Sequence, residues 1–148
     1  MTELYVKIAK ELSKKLGKGY KIIFKLHPGE VPFIERYKEL YGLENVEVVE
    51  KGDIYNYLCK VRYVISVYST TIYEAIALGN TVFVFKHPLS EIYVPKDLGK
   101  WVESTEEIVE LVKHGFEDTK KYDLNYYFDS NWKKNYRKFI EEIIGIPG

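Results

Sequence analysis

Apolar residues recur along this chain with two periods, and the alternation between them lays out its elements. Residues 3–16 carry Leu4, Ile8, Leu12 and Leu16 at four-residue spacing, the stripe of a surface helix, and Gly17 and Gly19 close it. Residues 21–26 read as a first strand. Pro32 suits the first turn of a helix running to about Tyr41, which Gly42 ends. A second strand is expected over 46–50, and Asp53 caps a short helix through Leu58. Residues 63–67 form the third strand, 70–78 a helix, and Gly79-Asn80 a turn. Residues 81–85 form a fourth strand, so uniformly apolar that a central place is expected. Trp101-Val102-Glu103 is a short fifth. Ser104 with Glu107 makes a capping-box pattern ahead of Ile108-Val109 and Leu111-Val112. Residues 115–129 are polar and aromatic without a clear period. A C-terminal helix is expected over about 130–144, because Trp132, Tyr136, Phe139, Ile140 and Ile143 fall at i, i+4, i+7, i+8 and i+11.

Strands alternating with helices point to an α/β fold with a mostly parallel sheet of about five strands, in one domain spanning residues 1–148. The strand order expected is 2-1-3-4-5. That order reverses direction between strands 1 and 3, and ligands of open α/β sheets bind outside the carboxyl ends of the strands at such a point. There is no internal repeat and no low-complexity tract.

Charge narrows the function classes. Lys+Arg and Asp+Glu both number 22, so no global field draws the chain to nucleic acid or to an anionic membrane. The pairs Lys120-Lys121 and Lys133-Lys134 read as solvated charges. The single Cys59 sits in the helical run Ile54–Leu58 and its end, and is expected to be a buried, inert thiol. No CxxC, HExxH or metal-spaced cluster occurs, and no signal peptide or membrane-length apolar run, so a cytoplasmic location is expected. Glutamine is absent while Lys, Glu, Ile and Tyr abound, a composition resembling that of thermophile proteins.

The polar chemistry gathers behind two strands. Lys25-Leu26-His27-Pro28 follows Ile22-Ile23-Phe24, and Tyr68-Ser69-Thr70-Thr71 follows the third strand. Ser69, Thr70 and Thr71 stand at a helix start, where free N–H groups, the dipole and three hydroxyls suit an anion; the competing reading is that Ser69 or Thr70 only caps the helix. Glu74, one turn on, suits the hydroxyls of a ribose, or else is a surface carboxylate. Proline after His27 forces an extended backbone there, so the imidazole can donate to a phosphate or protonate a departing one; a structural histidine is the alternative. Lys25 alternates with Phe24 and Leu26 and is expected to point away from the ligand. Lys86-His87-Pro88 repeats the dipeptide after the fourth strand and can close over a diphosphate, or be a plain loop. His114 is given no functional role. Neither GxxxxGK[ST] nor GxGxxG is present, which argues against a P-loop NTPase and an ordinary NAD-binding domain, and there is no DxD pair.

Taken together, Lys25-Leu26-His27-Pro28, Asp53-Ile54-Tyr55 and Val64–Ala75 resemble the C-terminal, donor-binding lobe of GT-B glycosyltransferases, nearest to the capsular polysaccharide, polysialyltransferase-like and CDP-glycerol glycerophosphotransferase-like families. The likeness covers about residues 20–112. It implies a Rossmann-like three-layer sandwich that binds a nucleotide-activated sugar linked to CMP, CDP or UDP, without a metal or other cofactor. His27 would be the catalytic contact to the donor phosphate. Pro28, Ser69, Thr70, Thr71, Glu74, Lys86 and His87 would complete the nucleotide-binding set. A GT-B enzyme has two lobes and this chain has room for one; the donor lobe also normally opens with a strand, where this chain opens with a helix. The resemblance therefore implies a fragment or a shortened homologue, or a sheet that closes without that strand; in each case the chain is expected to be incomplete as a catalyst alone, with a separate N-terminal lobe or a homo-oligomer as partner. Two other readings stand beside it: a non-catalytic binding or assembly module of the same fold, for which the aromatics Tyr122, Tyr126, Tyr127 and Phe128 would supply a surface, and the nucleotide-binding lobe of a sugar-nucleotide epimerase.

Overall fold

The computed structural model describes residues 2–26, 28–122 and 143–147. The chain opens with helix α1 (Thr2–Leu16), whose buried Tyr5, Ile8, Ala9, Leu12 and Leu16 make one apolar stripe. Gly17 turns out of it in the left-handed region (φ 76°), where a residue with Cβ is strained. Asn45 donates its amide to the carbonyls of Ser13 and Gly17 at 3.0 Å each, satisfying two acceptors at the helix end. Strand β1 (Ile22–Lys25) follows, then a 3-10 segment (Pro28–Tyr37) kinked at Phe33, then one turn of α-helix, α2 (Lys38–Tyr41). Pro32 thus lies inside a 3-10 segment and does not open an α-helix. Its missing N–H and its bias on the preceding residue disfavour the α-helical ladder.

Strand β2 (Val46–Val49) leads to α3 (Ile54–Leu58), where Asp53 accepts the Tyr55 N–H at 2.9 Å as its cap. Then come β3 (Tyr63–Ser66), α4 (Thr71–Ala77), β4 (Thr81–Phe85), α5 (Pro88–Tyr93), β5 (Lys100–Val102), α6 (Thr105–Lys113) and β6 (Ile143–Ile146). Ser104 caps α6 by accepting the Glu107 N–H, while the Glu107 carboxylate accepts the Glu103 N–H. Two of these elements depart from the expectation. Residues 87–93 are not a plain loop: His87 caps α5, with Pro88 in its first turn. Ile143 and Ile144 belong to a strand and not to the end of a helix; residues 123–142, which carry the rest of that expected helix, lie outside the described residues. β-branched isoleucine suits an extended strand, and Ile144 and Ile146 are fully buried there.

The sheet has six strands in the order β2-β1-β6-β3-β4-β5. β6 runs antiparallel to both β1 and β3, whereas β1–β2, β3–β4 and β4–β5 are parallel. The sheet is therefore mixed and six-stranded rather than mostly parallel with about five strands. The other five strands keep the order 2-1-3-4-5, and β6 occupies the place where that order reverses.

Alternation along the strands sorts their side chains onto two faces. Phe24, Ile144, Ile65 and Phe83 are register partners and share one face. Tyr37 meets Phe24 there with ring centroids 5.6 Å apart, and Phe116, just past α6, meets Phe83 at 6.1 Å. Helices α1, α2 and α6 pack in this layer, α1 against both others. Ile23, Gly145, Val64 and Val82 share the opposite face, which Val61, between α3 and β3, covers at Gly145. There α3 packs on α4, and α4 on β3 and β4. The buried apolar residues of both faces form one continuous core.

Cys59 is exposed at the C-terminal cap of α3, not buried. Ile54 and Leu58 are one turn apart and face inward, and the next position lies about 100° around the helix axis from Leu58. No helix among the described residues is long and apolar enough to cross a membrane.

Candidate functional site

All the parallel strands end on one edge of the sheet, and the residues singled out for chemistry lie along it. β3 ends at Ser66, and Val67-Tyr68-Ser69-Thr70 carry the chain into α4. The start of this segment is anchored from α1: the Val67 N–H donates to Tyr5 Oη at 2.9 Å, and Ser66 Oγ lies 3.4 Å from the same oxygen. Tyr5 is fully buried, so its hydroxyl holds the end of β3 from inside the fold.

Ser69 Oγ accepts the Thr71 N–H at 3.1 Å, and the carbonyls of Ser69 and Thr70 begin the helical ladder through Ile72 and Tyr73. Ser69 is thus the residue whose side chain caps α4. Thr70 makes no side-chain cap bond. All three hydroxylated residues are buried, Ser69 completely. The Ser69 oxygen is used as an acceptor, and its own hydroxyl hydrogen remains a donor. Glu74 is half-buried on α4, one turn beyond Thr70.

At the next strand the chain leaves β4 through Lys86 and His87. His87 Nδ1 accepts the Leu89 N–H at 3.1 Å, and Ser90 Oγ accepts the His87 N–H at 2.8 Å, a reciprocal cap that fixes the start of α5. With Nδ1 as acceptor the ring proton sits on Nε2, which is then the donor nitrogen. Lys86 is half-exposed and bridges to Glu103 Oε1 at 3.1 Å and Glu91 Oε1 at 3.9 Å. Glu103, with Glu91 adding, holds the Lys86 ammonium above the ordinary lysine value. Tyr68 and Tyr93 stack with centroids 6.1 Å apart, which ties the loop behind β3 to the end of α5. The fold therefore brings Ser69, Thr70, Thr71, Glu74, Lys86 and His87 to one edge, on two neighbouring strand ends and the helices that follow them.

The β1 side is arranged differently. β1 and β3 are not neighbours, because β6 lies between them and places them about 10 Å apart at ordinary strand spacing. The expected crevice between adjacent strands 1 and 3 is thus filled by β6, whose first residue Ile143 pairs with Lys25 at the carboxyl end of β1. His27 lies outside the described residues, and Pro28 opens the 3-10 segment. Lys25 is 4% exposed and donates from Nζ to the Leu26 carbonyl at 2.9 Å, so it is a buried donor group at this edge. Sequence reasoning gave Lys25 no part. It also missed the Tyr68–Tyr93 pair and the cap at His87, although Pro in the first turn of a helix was a signal for the latter. Among the described residues no group of three or more His, Cys, Asp and Glu side chains is placed to hold a metal ion.

Chemically, this edge offers hydroxyl donors, an imidazole N–H and a lysine ammonium, with a carboxylate one helical turn away. Such a set suits a phosphorylated ligand carrying vicinal hydroxyls. Comparisons of the chain with protein-family models, with curated proteins and with solved structures found no match.

Proposed function

We propose that the chain is a Rossmann-like donor lobe of the GT-B glycosyltransferase kind, binding a nucleotide-activated sugar linked to CMP, CDP or UDP. One observation carries the reading: Ser69, Thr70 and Thr71 stand at the carboxyl end of β3 beside Lys86 and His87 at the carboxyl end of β4. In this reading the Ser69 and Thr70 hydroxyls, with His27, hold the donor phosphates. Glu74 accepts from the ribose hydroxyls, and Lys86 exchanges its carboxylate partners for the diphosphate. Transfer of the glycosyl or polyol-phosphate unit would require a second lobe.

A second reading, a binding or assembly module of the same fold without catalysis, is favoured by one feature. β6 fills the place where the strand order reverses, where a ligand of an open α/β sheet would lie. Calorimetric titration with CMP, CDP, UMP and UDP separates the two. Saturable binding to one base, lost in Ser69→Ala/Thr70→Ala and in His27→Ala, is the result expected of the donor lobe. Absence of binding at millimolar nucleotide, by a protein that remains folded, would overturn it in favour of the assembly module.

A further inference from the structure

Helix α5 is six residues long, and a helix that short is held by its caps and its neighbours rather than by its own ladder. The chain is anchored on either side of it: Phe85 closes β4 before it, and Val94 and Leu98 are buried beyond it. Of the helix's own residues only Ser90 is buried, and Leu89 packs partly against the core. Ser90 Oγ accepts the His87 N–H at 2.8 Å and lies 2.8 Å from the Phe85 carbonyl and 2.9 Å from that of His87, its one hydrogen serving one of them. His87 Nδ1 accepts the Leu89 N–H at 3.1 Å. At the far end the Tyr93 ring stacks on Tyr68. Tyr68 is 5% exposed and directly precedes Ser69, so α5 reaches across to the segment in which Ser69, Thr70 and Thr71 are buried.

A histidine cap differs from a serine or asparagine cap. An imidazole accepts only while one ring nitrogen is bare; once the ring is protonated, both nitrogens are donors. The protonated ring of His87 turns an N–H toward the Leu89 N–H, and a repulsive contact replaces the cap.

We propose that α5 is a lid over the Ser69–Thr71 segment and that the charge of His87 sets its state, closed on a neutral ring and released on a protonated one. Release frees Tyr93 from Tyr68 and uncovers the loop behind β3. The charged and titratable groups about this cap are Lys86 beside it, Glu91 one turn on, Glu103 paired with Lys86, and the hydroxyls of Tyr68 and Tyr93. Their charges do not alter the rule that only the neutral ring accepts. The switch belongs to the protein alone and does not depend on which ligand this edge takes.

Amide hydrogen exchange on the ligand-free protein, with the His87 ring nitrogens followed by nitrogen NMR, tests both parts. At mildly alkaline pH the ring is expected to show a bare Nδ1 and a protonated Nε2. A neutral ring with its proton on Nδ1 would overturn the cap. The pH is then lowered until the ring is protonated. The Glu91 and Val94 amides, which bond the His87 and Ser90 carbonyls, are expected to lose protection by about fivefold or more after correction for intrinsic rates, the factor that one helix cap is worth. The Thr71 amide, bonded to Ser69 Oγ, is expected to lose protection with them, while Ile65 in β3, reporting the global fold, holds. His87→Asn supplies an acceptor that does not titrate and keeps every other titratable group of the chain, so its α5 amides should not respond to the same change. Unchanged protection once His87 is protonated, or an equal loss in His87→Asn, would overturn the switch. Loss in α5 without loss at Thr71 would overturn the lid. Should His87→Asn not fold, the wild type decides, because the loss must follow the titration of the His87 ring.

Discussion

Two buried tyrosines of this chain carry opposite expectations for the same substitution. Tyr5 is 0% exposed and Tyr63 2% exposed, so each keeps its ring in the core when the hydroxyl is removed, and neither Tyr→Phe change opens an appreciable cavity. The difference lies in what each oxygen does. Tyr5 Oη accepts the Val67 N–H at 2.9 Å, so Tyr5→Phe leaves a buried peptide donor without its acceptor, a cost of about 1–3 kcal/mol. Tyr63 Oη is buried and makes no hydrogen bond among the described residues, so Tyr63→Phe removes a desolvated hydroxyl and is expected to gain about 1 kcal/mol. Urea unfolding at pH 7 reads both, with Tyr55→Phe, on an exposed ring, as the control expected within about 0.5 kcal/mol of wild type. A loss of about 2 kcal/mol corresponds to a fall in Tm of roughly 4–8 °C for a chain of this size. High pH gives an independent check. Burial pushes the Tyr63 phenol above its ordinary value of 10.0, against a smaller opposing effect of the Arg62 guanidinium over its ring. The native state then holds the proton at a pH where the unfolded state releases it, so this contribution is full below about pH 10 and is lost as pH rises through the native value. Stability of wild type should fall more steeply above pH 10 than that of Tyr63→Phe. Equal effects of Tyr5→Phe and Tyr63→Phe at pH 7, in sign and size, would refute the assignment of hydrogen-bonding roles.

Gly145 sits in β6 with its would-be Cβ 2.9 Å from Val61 Cγ1, so Gly145→Ala should cost about 1–3 kcal/mol by overpacking, and Val61→Ala should restore part of that in the double variant; additive losses in urea unfolding would contradict the placement of β6 over Val61. Gly99 has φ 70° and a would-be Cβ 2.9 Å from the Val82 carbonyl oxygen, whereas Gly79 has φ 86° and open space. Gly99→Ala should therefore exceed Gly79→Ala, which costs about 1 kcal/mol, and equal losses would rule out the close approach. Asn45→Ala removes donors to two carbonyls at the end of α1 and should cost about 1–2 kcal/mol in the same assay, a loss below 0.5 kcal/mol counting against the cap. Cys59 is exposed, so a thiol reagent should modify it stoichiometrically in the native protein without denaturant; modification only on unfolding would contradict that exposure.

What could be read in the sequence was whatever local period and local capping determine. The stripe of α1, the strand at Thr81–Phe85, the cap at Asp53 and the cap at Ser104 all depend on residues within a few positions of each other, and all stand where the pattern placed them. β6 was not legible for the opposite reason. Ile140 and Ile143 continue a helical spacing, while the partners that make Ile143–Ile146 a strand, β1 and β3, lie about 80 to 120 residues away in sequence. Cys59 was misread because apolar content was counted without its angle around the helix. For the site, sequence order located Ser69–Thr71 and Lys86–His87 on one edge, but the bonds at Ser69 and His87 are set by the turn each residue makes, and the pairing of Lys86 with Glu103 joins the ends of two strands.

The caps at this edge bear on the function more than their local character implies, because capping and ligand binding use different atoms of the same group. Ser69 gives an oxygen lone pair to the Thr71 N–H, which leaves its O–H as a donor and fixes the oxygen from which that donor swings. His87 gives Nδ1 to the Leu89 N–H, which fixes both the ring and the tautomer, so Nε2–H is a donor of set direction. A phosphate bound by these two donors would break neither cap and would lose little side-chain entropy in the protein. Lys86 differs: a diphosphate would have to displace Glu103, and because that pair is open to solvent the exchange would cost little, less than a charge-assisted hydrogen bond to a phosphate returns. The unfavourable step is access, since Ser69, Thr70 and Thr71 are buried. Affinity at this edge should therefore depend on opening the segment behind β3, which the Tyr5–Val67 bond and the Tyr68–Tyr93 stack hold closed.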